Sequence, residues 1–278
     1  MMAGAIRRHA THDLPMTSQA ASRMPAIFFG HGSPMNTLER NRYTECWRQL
    51  GALAGKPKAI LAISAHWYTP GTAVTAMEQP KTIHDFYGFP QALFDVQYPA
   101  PGDPALAARV RDVLAPVDVG LDHSWGLDHG AWSVLKHAFP KADVPVVQLA
   151  IDATQPAAFH HALGAHLKPL RDEGVLIIGS GNVVHNLRLI GWDGGAAYDW
   201  ATRFNEFVRD AIATRQYDRL VDYHRAGPDA RLAVPTPEHY LPLLYVLGAQ
   251  RDDESVHTAI DGIEIRSIGM LSFWVGPH

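Results

Sequence analysis

Two uninterrupted apolar runs with a helical segment between them constrain this chain more than any other feature. The runs are Pro25–Phe29 and Ala59–Ser64, and the segment between them, Asn41–Ala54, has the composition of a helix. Runs that are apolar at every position, rather than at alternate positions, are typical of strands buried on both faces. This β–α–β order predicts an α/β fold, with one domain built on a central, largely parallel or mixed sheet flanked by helices.

The remaining segments extend this pattern. Residues 79–103 are rich in proline, glycine and aromatic side chains, and long loops in compact domains often bind ligands. Thr236 and Pro237 suit the N-cap and the first position of a helix. No repeat or linker divides the chain, so we predict one catalytic domain at residues 24–278 after a disordered extension at residues 1–23. The other predicted strands are 117–121, 145–150, 175–178 and two within 262–274, and the other predicted helices are 104–114, one ending at 138, 156–173, 198–215, 219–224 and 236–248.

The composition excludes several kinds of protein. The 24 basic and 28 acidic side chains give a net charge of −4 without any basic block, so we expect no nucleic-acid partner. Cys46 is the only cysteine, which excludes an intrachain disulfide and leaves nitrogen and oxygen as metal ligands. No apolar run reaches the roughly 18 residues that span a bilayer, and residues 1–23 lack the apolar core of a secretory signal. We therefore expect a cytoplasmic protein without a membrane partner.

Histidines follow the predicted strands where a ligand site is expected. Of the 16 histidines in the chain, His31, His66 and His185 each come after a buried strand, and ligands of open α/β sheets bind outside the carboxyl ends of the strands. His239 falls in the first turn of a predicted helix, where a neutral, metal-bound imidazole is tolerated better than a charged one. A single histidine after a strand is more often a capping or hydrogen-bonded residue. The four positions together predict a shared metal site.

Two other features near these histidines each have two interpretations, and a third does not match the motif of either function that it suggests. His129 lies in a glycine-flanked turn, where it is either an acid–base residue beside the metal or a packed structural residue. Glu238 either completes a site of two histidines and one carboxylate or favours the positive end of a helix. The loop Gly179–Asn182 resembles a phosphate loop but lacks its lysine, and Ser180 lacks the Gly-x-Ser-x-Gly frame of a serine hydrolase.

A series of motifs resembles the class III extradiol ring-cleavage dioxygenases, which are LigB-like proteins, and within them the 4,5-DOPA extradiol dioxygenase group. The resemblance covers almost everything from Met24 to Ser272 and implies a single α/β domain with a non-haem metal site. The motifs, in family order, are Phe29-Gly-His-Gly-Ser-Pro34, Ser64-Ala-His-Trp67, Asp85-Phe-Tyr-Gly-Phe-Pro90, Asp128-His-Gly130, Gly181-Asn-Val-Val-His-Asn186, Asn205-Glu206 and Pro235-Thr-Pro-Glu-His-Tyr-Leu-Pro-Leu243.

The resemblance also implies roles for individual residues. His31, His66 and His239 look like the metal ligands, His185 looks like a fourth ligand or an acid–base residue, and His129 looks like the acid–base histidine beside the metal. The carboxylate ligand of the wider class is not reproduced, which leaves the role of Glu238 open. The expected cofactor is Fe(II), although a histidine-rich site also binds Zn(II) well.

The expected reaction is the insertion of O₂ into a catechol ring next to the diol, which gives a muconic semialdehyde. The catechol and O₂ are thus the expected partners, and the sequence does not indicate an oligomeric state. Two alternatives remain, namely a zinc-dependent hydrolase and a non-catalytic metal-binding relative. The side chains predicted to wall a catechol pocket are Trp67, Tyr68, Phe86, Tyr87 and Trp125.

Overall fold

The computed structural model of the 278-residue chain describes residues 23–192 and 194–277. The predicted extension at residues 1–23 lies outside the described residues except for Arg23, so it stays a prediction. In the described part, no helix is long and apolar enough to cross a membrane.

A mixed eight-stranded sheet forms the centre of the described chain, beside a separate two-stranded sheet. The large sheet has the order β4-β3-β5-β2-β6-β1-β10-β7, and the small sheet pairs β8 with β9. Its four central strands, β5, β2, β6 and β1, run parallel, while β3, β10 and β7 add antiparallel pairs. The strands are β1 (Ala26–Gly30), β2 (Ala59–Thr69), β3 (Thr72–Thr75), β4 (Val119–Asp122), β5 (Val146–Asp152), β6 (Val175–Gly181), β7 (Ser255–Ile260), β8 (Ile263–Glu264), β9 (Ile268–Gly269) and β10 (Ser272–Gly276).

Helices cover both faces of the large sheet. On β1, Phe28 packs into a core that includes residues of α3, α5, α7 and α10, whereas Ile27 and Phe29 pack into a second core with α1 and α4. The predicted α/β class with one mixed sheet flanked by helices is therefore confirmed. The helices are α1 (Arg42–Ala54), α2 (Gln91–Phe94), α3 (Pro104–Leu114), α4 (His129–Ala138), α5 (Ala157–His166), α6 (Lys168–Asp172), α7 (Asp199–Ala213), α8 (Tyr217–Val221), α9 (Pro228–Ala233) and α10 (Leu241–Gly248).

Three local predictions around the histidines are wrong, namely those for His66, for His129 and for the helix that was predicted to carry His239. His66 lies inside β2 rather than after it, because β2 continues past an irregularity in its pairing with β5 between Ile63 and Tyr68. His129 is not in a loop turn but is the first residue of α4, which Asp128 caps by accepting the backbone N–H of Ala131.

The predicted helix at residues 236–248 begins only at Leu241. The Thr236 hydroxyl does not cap a helix but donates to Oε1 of Glu238 at 2.8 Å. The carbonyl of His239 accepts the backbone N–H of Asn182 at 2.8 Å. This contact holds the segment before α10 as a turn, so His239 is not in the first turn of a helix.

The remaining errors are small or concern short elements. The predicted helix at 156–173 divides into α5 and α6, and the segment 262–274 holds β8, β9 and most of β10 rather than two strands. The strands β3 and β7 were not predicted at all.

Two glycines of β6 allow the segment before α10, and the first turn of α10, to lie directly against the sheet. A Cβ atom on Gly181 would lie 2.2 Å from the carbonyl oxygen of His239, and one on Gly179 would lie 2.6 Å from that of Pro242. Real Cβ atoms do not approach a backbone oxygen so closely. The separation between β6 and the segment that carries His239 is therefore set by backbone contact.

Candidate metal centre

Five histidines from five separate segments meet at one edge of the sheet. The ring centroid of His31 lies 5.2 Å from that of His66, 6.0 Å from that of His129 and 5.3 Å from that of His239. The rings of His66 and His129 are 3.8 Å apart, and those of His185 and His239 are stacked at 3.5 Å with 7° between their planes. The five thus form one contiguous cluster, in which the structure brings together every histidine predicted for the site.

The sheet topology explains this convergence. The strands β1 and β2 both pair with β6 in parallel, so their carboxyl ends, and the histidines at those ends, face the same crevice. His185 lies four residues beyond β6, where its backbone N–H donates to the carbonyl of Ala233 at 2.8 Å and a β-bridge joins it to Ile268. Backbone contacts rather than a strand hold that residue in place.

A serine fixes the proton on the His31 ring. The Ser180 hydroxyl donates to the carbonyl of Gly130 at 2.6 Å, so it can only accept from Nδ1 of His31, which is 3.0 Å away. The proton of His31 is then on Nδ1, and Nε2 carries a lone pair. This Nε2 lies 3.4 Å from Nε2 of His66.

A single carboxylate holds two further rings. Oδ2 of Asp85 lies 3.2 Å from Nδ1 of His66 and 2.9 Å from Nδ1 of His129. Although burial alone would raise the pKa of the Asp85 carboxyl, its interactions with the side chain and the backbone N–H of His129 and with His66 lower that pKa. An anionic carboxylate at these distances favours the tautomer with the proton on Nδ1 in both rings, which leaves the Nε2 atoms with lone pairs.

Glu238 plays the corresponding part for His239. Its Oε1 lies 3.2 Å from Nδ1 of His239 and also accepts the Thr236 hydroxyl. A carboxylate on Nδ1 again leaves Nε2 as the nitrogen with a lone pair.

The electrostatics of the cluster keep the rings of His31, His66, His185 and His239 neutral. Burial, reinforced by the neighbouring imidazoles, lowers the pKa of His31 and of His239 well below the ordinary value of 6.5. The same causes lower the pKa of His66 to about 3 and that of His185 to about 4. Neutral imidazole is the form that binds a metal.

The donor atoms also fit a metal ion. Two lone pairs only 3.4 Å apart, on His31 and His66, repel each other unless a cation lies between them, and ligand nitrogens at ~2.1 Å from a tetrahedral metal lie ~3.4 Å from each other. His31, His66 and His129 offer nitrogen atoms within 4.8 Å of one another, and His185, Glu238 and His239 offer a second such group. These residues could therefore hold a metal ion.

Comparisons with known proteins identify the family of this chain. A family model described as the catalytic LigB subunit of aromatic ring-opening dioxygenase matches residues 25–272. The chain belongs to the LigB family. It is accordingly an extradiol aromatic ring-opening dioxygenase.

The similar proteins cover nearly the whole chain. A protein of Escherichia coli (strain K12) named 4,5-DOPA dioxygenase extradiol is 53% identical over 264 residues, which are 92% of this chain and 96% of that protein. A protein of Beta vulgaris with the same name is 39% identical over 89% of this chain and 95% of its own length. The crystal structure of an uncharacterized protein from Escherichia coli K12 superposes with a TM-score of 0.81 at 49% identity, and covers 91% of this chain and 100% of that chain.

The aromatic residues predicted to wall a pocket in this LigB-family enzyme take different positions. The Phe86 ring meets the His129 ring edge-on at 5.4 Å, beside the site. Trp67 and Trp125 stack on each other at 5.5 Å. Tyr87, in contrast, is 91% exposed, and Tyr68 places its hydroxyl 3.5 Å from the carbonyl of Ala153. Of the five, Phe86 is the one with a ring contact to the histidine cluster.

Sequence reasoning assigned no role to two residues that orient the cluster. Asp85 lies in a long loop, and its one local signal was its place between a histidine and a phenylalanine in a loop expected to bind ligands. Ser180 was weighed only as a phosphate-loop residue or nucleophile. Its position at the end of β6, one strand from β1, was the available signal that its hydroxyl would meet His31.

Proposed function

We propose that this enzyme inserts O₂ into a catechol of the 4,5-DOPA type, next to the diol, and releases a muconic semialdehyde. The observation that carries this proposal is the cluster of five imidazoles at one sheet edge, in which the Nδ1 atoms of His31, His66, His129 and His239 are turned to Ser180, Asp85 or Glu238. The names of the relatives from Escherichia coli and Beta vulgaris support the substrate class.

We propose Fe(II) as the working metal, held by His31, His66 and His239 with His185 as a fourth ligand or a neighbouring acid–base residue. Zn(II) could occupy the same nitrogens in a purified sample. A bound Fe(II) would bring the two catechol oxygens and O₂ together, which removes much of the entropic cost of their encounter.

The protein itself supplies proton transfer and exclusion of water. With its Nδ1 held by Asp85 at 2.9 Å, His129 presents Nε2 as the atom that accepts a phenolic proton and later returns it. His129 and His31 are only 5% and 2% exposed, which keeps bulk water from that nitrogen. The Phe86 ring lies edge-on to His129 and offers a flat apolar surface for the catechol ring.

The test is anaerobic loading with Fe(II), followed by oxygen uptake with a panel of catechols that includes L-DOPA. We expect stoichiometric O₂ consumption and a coloured semialdehyde product from the iron form. Inert apo, zinc and iron forms with every catechol would contradict the dioxygenase proposal. Hydrolysis by the zinc form without O₂ would support the hydrolase alternative instead. The cytoplasmic location and the absence of nucleic-acid and membrane partners stay predictions from the sequence.

A further inference from the structure

Asp85 contacts the rings of His66 and His129 and also the backbone of His129. One oxygen, Oδ2, lies 3.2 Å from Nδ1 of His66 and 2.9 Å from Nδ1 of His129. The other oxygen, Oδ1, accepts the backbone N–H of His129 at 2.9 Å. The carboxylate thus uses both of its oxygen atoms within the site, and it connects β2 with the start of α4.

The chain around Asp85 is held on both sides. The backbone N–H of Ile83 donates to the carbonyl of Leu127 at 2.7 Å, and the carbonyl of Ile83 accepts Nε1–H of Trp132 at 2.8 Å. On the same segment, Nε2 of His84 lies 2.9 Å from the carbonyl of Val96. Although it belongs to a long loop, Asp85 is therefore fixed to the helix that carries His129.

We propose that Asp85 is a positioning residue that sets the proton position and the orientation of His66 and His129 together through one carboxylate oxygen. For His66 this directs a lone pair on Nε2 towards the metal, and for His129 it directs one towards the substrate. The second half of the proposal rests on the proposed function, whereas the first half concerns metal binding alone.

Only a carboxylate satisfies all three contacts. The His129 backbone N–H donates to Oδ1, and the two Nδ1 atoms lie 3.2 Å and 2.9 Å from Oδ2, an acceptor that favours the proton of each ring on Nδ1. An asparagine has the same shape but presents an amide nitrogen, which is a donor, at one of the two oxygen positions. If that nitrogen faces the rings, their protons must move to Nε2, and if it faces the backbone, it meets another donor.

The test is Asp85→Asn beside Asp95→Asn as a matched control. Asp95 is exposed, is in the same long loop, and accepts Nε2–H of Gln91 through Oδ1, which asparagine can also do. Affinity for Co(II) and Zn(II) is measured by chelator competition, and the visible spectrum of the Co(II) form reports on its ligands. We expect Asp85→Asn to weaken both affinities by about 10–100-fold, the usual effect of losing a partner of a ligand histidine, and to change the Co(II) spectrum. Asp95→Asn should match the wild type.

A double-mutant cycle separates the effect of Asp85 on His66 from its effect on His129. At saturating Fe(II), Asp85→Asn should lower turnover by about 10²-fold, the lower end of general acid–base effects, with little change in KM. In a His129→Ala background the same substitution should cost little further turnover but should still weaken Co(II) binding, because that loss acts through His66.

Several outcomes would overturn the proposal. Metal affinity, Co(II) spectrum and turnover like those of Asp95→Asn would show that the contacts do not position either ring. If Asp85→Asn lowers turnover as much in the His129→Ala background as in the wild type, Asp85 does not act through His129. If wild-type protein oxidises no catechol, the proposed function fails, but the Co(II) measurements still decide the role towards His66. If Asp85→Asn does not fold, Asp85→Glu keeps the charge, displaces the carboxylate by one methylene, and should give the same losses in smaller amount.

Discussion

Two buried polar clusters lie at opposite ends of the same two strands, β1 and β6. At the amino ends, the Arg171 guanidinium donates to both carboxylate oxygens of Glu254 at 2.7 Å, and to the carbonyls of Met24 and Ala249. At the carboxyl ends lie the five histidines. Arg171 and Glu254 are fully buried, as His31 and His239 nearly are.

The clusters differ in how completely their polar atoms are satisfied. Each nitrogen of the Arg171 guanidinium has an acceptor, with Nη2 also 3.4 Å from the carbonyl of Val275. In the histidine cluster, the Nδ1 atoms of His31, His66 and His239 have partners, but their Nε2 lone pairs have no donor within the described chain. A cluster in which every polar atom has a partner contributes to the free energy of unfolding. Nitrogen lone pairs without a donor are not needed for stability, but they can bind a cation. We expect substitutions in the two clusters to separate stability from activity.

The largest effect is expected for His129→Ala. Loss of the imidazole that we propose as the acid–base group should lower turnover by about 10²–10⁴-fold, while metal content stays near that of the wild type. Single-turnover rates and metal analysis of the same sample test this. Purification of His129→Ala without metal would show that the roles of His129 and His185 are reversed.

In the other cluster, Arg171→Met should reduce the free energy of unfolding by about 3 kcal/mol, at the low end for breaking a buried ion pair. The low end is expected because Glu254 keeps Arg23 at 3.3 Å and the backbone N–H of Arg251 at 2.9 Å. Urea unfolding of the apo protein measures it, and the double variant with Glu254→Gln should regain part of the loss. Weaker metal binding by folded Arg171→Met would contradict the expectation that the Arg171 cluster affects stability alone.

If His185 is the fourth ligand that we propose, His185→Ala should weaken metal binding and lower activity together, because its removal would open a coordination position. We expect a loss of metal affinity of at least about tenfold, since even a partner of a ligand is worth ~10–100-fold. Chelator competition with Zn(II) gives the value. An unchanged affinity with lost turnover would instead assign His185 to acid–base catalysis alone.

The smallest effect is expected for Glu238→Gln. The Glu238 side chain is 20% exposed and lies 3.2 Å from Nδ1 of His239, so its amide can still offer an oxygen to that nitrogen. Metal affinity should fall by about tenfold or less, at the low end for such partners, with Glu78→Gln, an exposed residue, as the control. A loss as large as that of His185→Ala would indicate that Glu238 is itself a ligand.

The sequence indicates the sheet and the edge of the site because both depend on local pattern. The apolar runs of β1, β2 and β6 predict buried parallel strands, whose carboxyl ends must share an edge, so His31 and His66 were found. Asp85 could not be found in this way, since its place depends on contacts of Ile83 and His84 with distant segments. The predicted helix start at Thr236 is wrong for a similar reason, because the backbone hydrogen bond from Asn182, directly after β6, to the carbonyl of His239 overrides local propensity.

One side of the site, at the glycines of β6, has a fixed shape, whereas the opposite side can change its shape by substitution. Where Gly179 and Gly181 touch the segment of His239, main chain lies against main chain, and no side-chain replacement can widen that gap. On the other side, Phe86 lies against His129, Phe89 and Phe94, and the three phenylalanine rings can be exchanged for smaller side chains. Directed evolution towards bulkier catechols should therefore collect its substitutions around Phe86 and leave the two glycines untouched.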